Sequence, residues 1–145
     1  MISLVMDTSN SYLAVGLYQD NMCLEAFQEK GSRRQSEKAI PTLKEVLDRH
    51  DIALKDVDEM IITSGPGSYT GVRVAMTIAK TLAAVSDVKI KSVSSLAAYA
   101  GMNQALSVID ARGHKVFVGV YENGLPLIKE QVMTLEDFAQ LRAEY

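Results

Sequence analysis

Asp7-Thr8-Ser9-Asn10-Ser11-Tyr12-Leu13-Ala14-Val15-Gly16-Leu17-Tyr18 returns without a gap as Asp110-Ala111-Arg112-Gly113-His114-Lys115-Val116-Phe117-Val118-Gly119-Val120-Tyr121. The offset is 103 residues throughout. In both copies an aspartate closes an apolar run, a small polar turn follows, and Val-Gly-(Leu/Val)-Tyr recurs in place. A repeat of that kind reads as a duplicated lobe. Its first copy lies in a hairpin: residues 2–7 form a buried strand, Thr8–Ser11 a turn whose side chains bond their own backbone, and Tyr12–Tyr18 a strand with Leu13, Val15 and Leu17 on one face. Asp20-Asn21 turns the chain into a third strand, residues 22–29.

A helix follows. Ser36 is its expected N-cap, and Ala39, Ile40, Leu43, Val46 and Leu47 fall at helical spacing. Pro41 predicts a kink, or a regular helix that starts near it. Val57–Thr63 reads as a strand running into Ser64-Gly65-Pro66-Gly67-Ser68-Tyr69-Thr70-Gly71 and a helix from Tyr69 to Val85. Lys89–Val93 is a strand, and Ser94 or Ser95 caps a helix over Leu96–Asn103. Ala105–Asp110, Lys115–Glu122 and Leu125–Val132 are strands, and Leu135–Ala143 a helix. The order β-β-β-α-β-α-β-α predicts an α/β fold: a mixed sheet with crossover helices. Residues 1–104 make the first lobe. Residues 105–145 begin a second that stops at the equivalent of Thr42, so a truncated or much reduced second lobe is expected.

Composition bounds the function. The chain has 145 residues, 48% apolar, with 15 basic and 18 acidic side chains, enough for one packed domain and a fraction. Residues 1–50 hold 6 basic and 7 acidic groups, 51–102 hold 5 and 5, and 103–145 hold 4 and 6. No segment is a basic arm, so strong grip on a phosphate backbone is not expected of this chain alone. Arg33-Arg34 reads as a solvated loop. The single cysteine, Cys23, excludes an internal disulfide and suits a reducing compartment. The apolar start is cut by Asp7 and no positive stretch precedes it, so it does not read as a signal peptide. Ser92–Ile109 lacks charge but carries too many polar residues to span a membrane. A cytoplasmic protein is expected.

Gly65–Gly71 could cradle a phosphate at a helix N-terminus. However, it lacks the Gly-Lys-Ser/Thr of a Walker loop and has Thr70 where the dinucleotide fingerprint needs a third glycine. It reads as a structural loop in which Gly65, Pro66, Gly67 and Gly71 make a tight strand-to-helix turn. His50 and His114 are 64 residues apart and form no metal pair, and Cys23, Ser36 and Ser68 have no base beside them. No catalytic residue and no metal site is expected. In the helix Tyr69–Val85, only Arg73, Thr77, Lys80 and Thr81 make a polar stripe. So broad an apolar surface predicts a subunit interface with the preceding helix, through Ile40, Leu43, Leu47, Val74, Ile78 and Leu82.

Taken together, Met6-Asp7-Thr8-Ser9, Gln35-Ser36-Glu37 before Pro41, Gly65-Pro66-Gly67-Ser68-Tyr69-Thr70-Gly71-Val72-Arg73, Ser94-Ser95-Leu96 and Ile109-Asp110-Ala111-Arg112 resemble the TsaB (YeaZ) family. The resemblance covers nearly the whole chain. It implies a ribonuclease-H-like lobe of the actin-like ATPase fold, followed by a partial second lobe. Asp7, Thr8 and Ser9 then stand where actin-like ATPases bind phosphate and metal, as weak candidates for a cofactor contact. The family's usual histidine is replaced here by Gln35. The resemblance further implies a non-catalytic relative of the TsaD/glycoprotease group, pairing through the two helices with itself when alone or with TsaD. A TsaE-type ATPase joins the pair, the assembly places threonylcarbamoyl on N6 of tRNA adenosine 37, and tRNA is met only through the complex. ATP and metal belong to the partner subunits. The alternative is a glycoprotease-like hydrolase or an ATPase acting alone.

Overall fold

A computed structural model describes residues 1–30 and 35–145, with the side chain of Gln35 outside the description. The expected Arg33-Arg34 loop and any consequence of Gln35 replacing histidine therefore lie outside the described residues. The chain divides into two compact units, residues 1–64 with 68–93, and residues 65–67 with 94–145.

In the first unit, β1 (Ile2–Asp7), β2 (Tyr12–Gln19), β3 (Met22–Lys30), β4 (Glu59–Thr63) and β5 (Lys89–Val93) form one sheet in the order β3-β2-β1-β4-β5. The hairpin strands pair antiparallel, whereas β1–β4 and β4–β5 pair parallel. Parallel neighbours require crossovers. These are α1 (Gln35–Arg49) with the 3-10 turn Leu54–Asp56, and α2 (Tyr69–Val85). This is the ribonuclease-H-like lobe of the actin-like ATPase fold. The alternating residues Leu4 and Met6, Leu13, Val15 and Leu17, and Met60 and Ile62 point to one face and are buried there with α1 and α2.

Helix α1 starts at Gln35, so Ser36 lies inside it and does not cap it. Pro41 sits within the helix on its exposed side. There water can serve the carbonyl that loses its usual N–H donor. The last turn is tied to β3. Glu25 accepts from Arg49 Nε at 3.1 Å and Nη2 at 2.5 Å, and lies 2.9 Å from His50 Nε2. The Arg49 hydrogen bonds, assisted by His50 and opposed by desolvation, hold the Glu25 carboxyl at about 2, below its ordinary 4.5. A depressed carboxylate contributes stability above its unfolded-state value and loses it as pH falls toward the folded value. Glu25→Gln should therefore narrow the gap between urea midpoints measured at about pH 6 and about pH 3, because the wild type gives up part of this contribution on acidification and the variant has none to lose.

The second unit is a meander of β6 (Ala105–Arg112), β7 (Lys115–Glu122) and β8 (Leu125–Thr134), with α3 (Ser95–Ala100) and α4 (Leu135–Glu144). Ser94 caps α3 by accepting from the N–H groups of Leu96 and Ala97. Leu96 and Ala100 pack on Tyr121, Ile109 and Phe117, and the Ser107 hydroxyl donates to the Leu96 carbonyl at 2.7 Å. These contacts put α3 with the strands that follow it. The second compact unit accordingly takes residues 94–145 together with 65–67.

The repeat survives in three dimensions with one change. Asp7 Oδ1 accepts from Ser9 N and Asp110 Oδ1 from Arg112 N, each closing the same local turn. In both units the tyrosine two residues after the strand glycine covers it. A Cβ on Gly16 would meet the Tyr18 ring at 2.9 Å, and one on Gly119 the Tyr121 ring at 2.6 Å. The register differs. Asp7 opposes Ala14, but Asp110 opposes Val116, one short of the Phe117 that the offset gives, next to an irregularity between Asp110 and Arg112. Directly opposed residues share a face. The alternation of β7 is thereby shifted by one against β6, so that Phe117 and Tyr121 face α3 with Ile109, whereas Asp110, like Asp7 in its own unit, stays on the face away from the packed helices.

Candidate partner interface

The Asp-Thr-Ser turn and the glycine loop meet at the N-terminus of α2. Asp7 Oδ1 accepts from Ser9 N at 2.8 Å, Ser9 Oγ at 2.6 Å and Thr63 Oγ1 at 2.6 Å. Thr8 Oγ1 donates to the Gly71 carbonyl at 2.5 Å, and Ser68 N to the Ser9 carbonyl at 2.8 Å. Gly71 N and Val72 N are both taken by Ser68, through its hydroxyl and its carbonyl. The hydroxyls of Thr8, Ser9 and Thr63 and the N–H groups of Ser9, Ser68, Gly71 and Val72 thus each have an acceptor within the fold. Two glycines have a steric reason. Gly65 sits at φ 97°, and a Cβ on Gly71 would lie 1.8 Å from the Thr8 carbonyl oxygen.

The remaining candidates lie on α1 and α2, and the structure separates them. Leu43, Leu47 and Ile78 are core residues, 4%, 7% and 6% exposed. They point at the sheet with Ala39, Val46, Ala75 and Ala79, which corrects their assignment to a docking face. Ile40 is 53% exposed, and Val74 and Leu82 are half-buried at the edge of the core. The apolar residues of α2 do not form one free surface, because the core consumes the side carrying Gly71, Ala75, Ile78 and Ala79.

Two hollows open on this side of the unit. One, about 300 Å³, lies beside Ile40 and Leu82 over Leu43, Leu47 and Ile52. The other, about 460 Å³, is lined by Ser36, Tyr69, Thr70, Arg73, Val74 and Thr77, with Ile78 as its floor. Tyr69, 75% exposed, lines the larger hollow, and Val85 at the other end of α2 is 72% exposed. Both sit at helix ends, where periodicity gives no facing signal.

Among the described residues, no group of three or more His, Cys, Asp or Glu could hold a metal, and no helix is long and apolar enough to cross a membrane.

Residues 28–144 match the family described as TsaD, tRNA N6-adenosine threonylcarbamoyltransferase. The tRNA threonylcarbamoyladenosine biosynthesis protein TsaB of Bacillus subtilis is 33% identical over 99% of this chain and 67% of its own length. The chain belongs to the TsaB family. TsaB of Escherichia coli is 30% identical over 84% of this chain and 57% of its own length. The solved YeaZ from Pseudomonas aeruginosa superposes with a TM-score of 0.83 at 29% identity, covering 91% of this chain and 67% of that one. This TsaB-family chain thus spans about three fifths to two thirds of the length of these relatives.

Proposed function

We propose that the chain is the non-catalytic, cytoplasmic subunit of a tRNA N6-threonylcarbamoyladenosine synthesis complex. It pairs with a TsaD-type catalytic subunit through α1 and α2 and with itself when alone. The pair supports docking of a TsaE-type ATPase, and tRNA meets the chain only within the assembly. ATP and metal reside in the partner subunits. The observation that carries this reading is the exposed Ile40 with the half-buried Leu82 at one open hollow of the two helices, and the half-buried Val74 at the other. Exposed apolar surface next to unfilled hollows costs free energy until a partner covers it. A contact near 800 Å² per partner is enough for a stable pair. The internally bonded Asp7 turn supports the scaffold reading over an ATPase acting alone, because its donors already have acceptors.

Ile40→Glu tests the interface. The side chain is already in solvent, so the melting temperature should stay within a few degrees of wild type. Co-purification with the TsaD-type subunit of the same host, and modification of tRNA by the reconstituted set, should both be lost. Full modification with this chain omitted would refute the proposal.

A further inference from the structure

We propose that the outer edge of β6 is a strand-pairing surface for a second copy of this chain, joined β6 to β6 in antiparallel about a two-fold axis at Ser107. The inference stands apart from the pairing through α1 and α2.

Among the described residues, β6 is bonded to β7 alone, whereas β1, its counterpart in the repeat, has β2 on one side and β4 on the other. The missing neighbour shows in the burial. Met6 is fully buried, but its counterpart Ile109 is only half-buried, and Val108 is 37% exposed where Val5 is half-buried. An open strand edge presents unpaired N–H and C=O groups, and proteins guard such edges with charge or proline. The other three sheet edges are guarded in this way. β3 carries Glu25, Glu29 and Lys30, β5 carries Lys89 and Lys91, and β8 carries Pro126, Lys129 and Glu130. From Gln104 to Ile109 there is no charge.

The order of residues along β6 selects the occupant. Gln104-Ala105-Leu106-Ser107-Val108-Ile109-Asp110 runs polar, apolar, apolar, polar, apolar, apolar, polar, the same from either end. Ala105, Ser107 and Ile109 face α3: the first and last pack on its cluster, and the Ser107 hydroxyl donates to the Leu96 carbonyl at 2.7 Å. Leu106, Val108 and Asp110 lie on the other face. A two-fold axis normal to the sheet keeps each face on its own side, so it passes through a residue and not between two. At Ser107 it sets Leu106 opposite Val108 of the second copy, Ala105 opposite Ile109 and Gln104 opposite Asp110. Apolar side chains meet apolar ones, and at each end the Gln104 amide can donate to the Asp110 carboxylate. An axis at Val108 would instead oppose Leu106 to that carboxylate. The joined sheet has an antiparallel seam, the more stable of the two pairings.

The Ile40→Glu protein isolates this contact, because that substitution is the one expected to remove pairing through the helices. Its molar mass is measured by sedimentation equilibrium up to about 0.5 mM. The expected result is a dimer. Val108→Lys, at an exposed position in the middle of the seam, should leave a monomer with unchanged circular dichroism. Gln104→Glu, which brings carboxylates together at both ends of the seam, should weaken the dimer roughly threefold or more, and Gln104→Lys should tighten it by a similar factor. Hydrogen exchange of the β6 amides that point away from β7 should slow as the dimer forms. A monomer at the highest concentration overturns the inference and leaves the edge to an extended segment of another protein. A dimer that survives Val108→Lys, or that both Gln104 variants leave within about twofold, overturns it as well. Pairing through the helices is read separately, by co-purification with the TsaD-type subunit, so either reading can fail without the other.

Discussion

Replacing Gly71 by alanine should unfold the first unit at urea concentrations well below those that unfold the wild type. An added Cβ meets the Thr8 carbonyl oxygen at 1.8 Å and the Thr8 carbonyl carbon at 3.0 Å. Neither atom can step aside. Thr8 is fully buried and its hydroxyl donates to the Gly71 carbonyl, so the β1–β2 turn and the start of α2 hold each other. Helix α2 would have to move away from β1. That would strain the Thr8–Gly71 bond, the Ser68–Ser9 backbone bond and the packing of Ala75, Ile78 and Ala79 on Met6 and Ile62. Overpacking of this kind costs about 3 kcal/mol or more, a large share of the stability of a domain. Chemical denaturation followed by circular dichroism would measure it. A midpoint equal to wild type would mean that the turn and the helix are not in contact.

Ile78→Glu should abolish folding of the first unit, in contrast to Ile40→Glu. Ile78 is 6% exposed and sits in the core. Its neighbours in the core are apolar. Burying that charge, or neutralising it at neutral pH, costs on the order of 4 kcal/mol or more, in addition to the lost apolar contacts. The variant is expected to be insoluble, or to give a proton spectrum of collapsed amide dispersion. Loss of pairing by Ile78→Glu would therefore say nothing about an interface. Only the exposed Ile40, with the half-buried Val74 and Leu82, can report on one.

The contrast between these two isoleucines shows where the sequence was legible. Helix α2 runs from Tyr69 to Val85 as its pattern indicates, and β5 and β7 likewise keep their expected ends. Strong periodicity bounded by glycine, serine or charge leaves little room for another reading. The facing of Ile78 was less legible. A helix rich in Val, Ala, Ile and Leu carries apolar residues almost all round, and periodicity alone cannot tell the side that meets the sheet from the side left over. Pro41 misled for a related reason: helix interiors reject proline on average, yet an exposed position with water at hand accepts it. At the Asp7 turn, the sequence showed the right residue types for a phosphate contact. It could not show that Ser68, Thr63 and Gly71, which are 59, 56 and 63 positions from their partners, engage them.

The paired glycine and tyrosine of each unit carry a consequence for how this chain can vary. Because the Tyr18 ring fills the volume that a methyl on Gly16 would claim, and Tyr121 does the same over Gly119, neither glycine is free to change by itself. A larger residue there becomes acceptable only once the aromatic ring has been traded for something smaller. Each couple must drift as a linked pair, through an intermediate that has lost the ring but not yet gained the side chain.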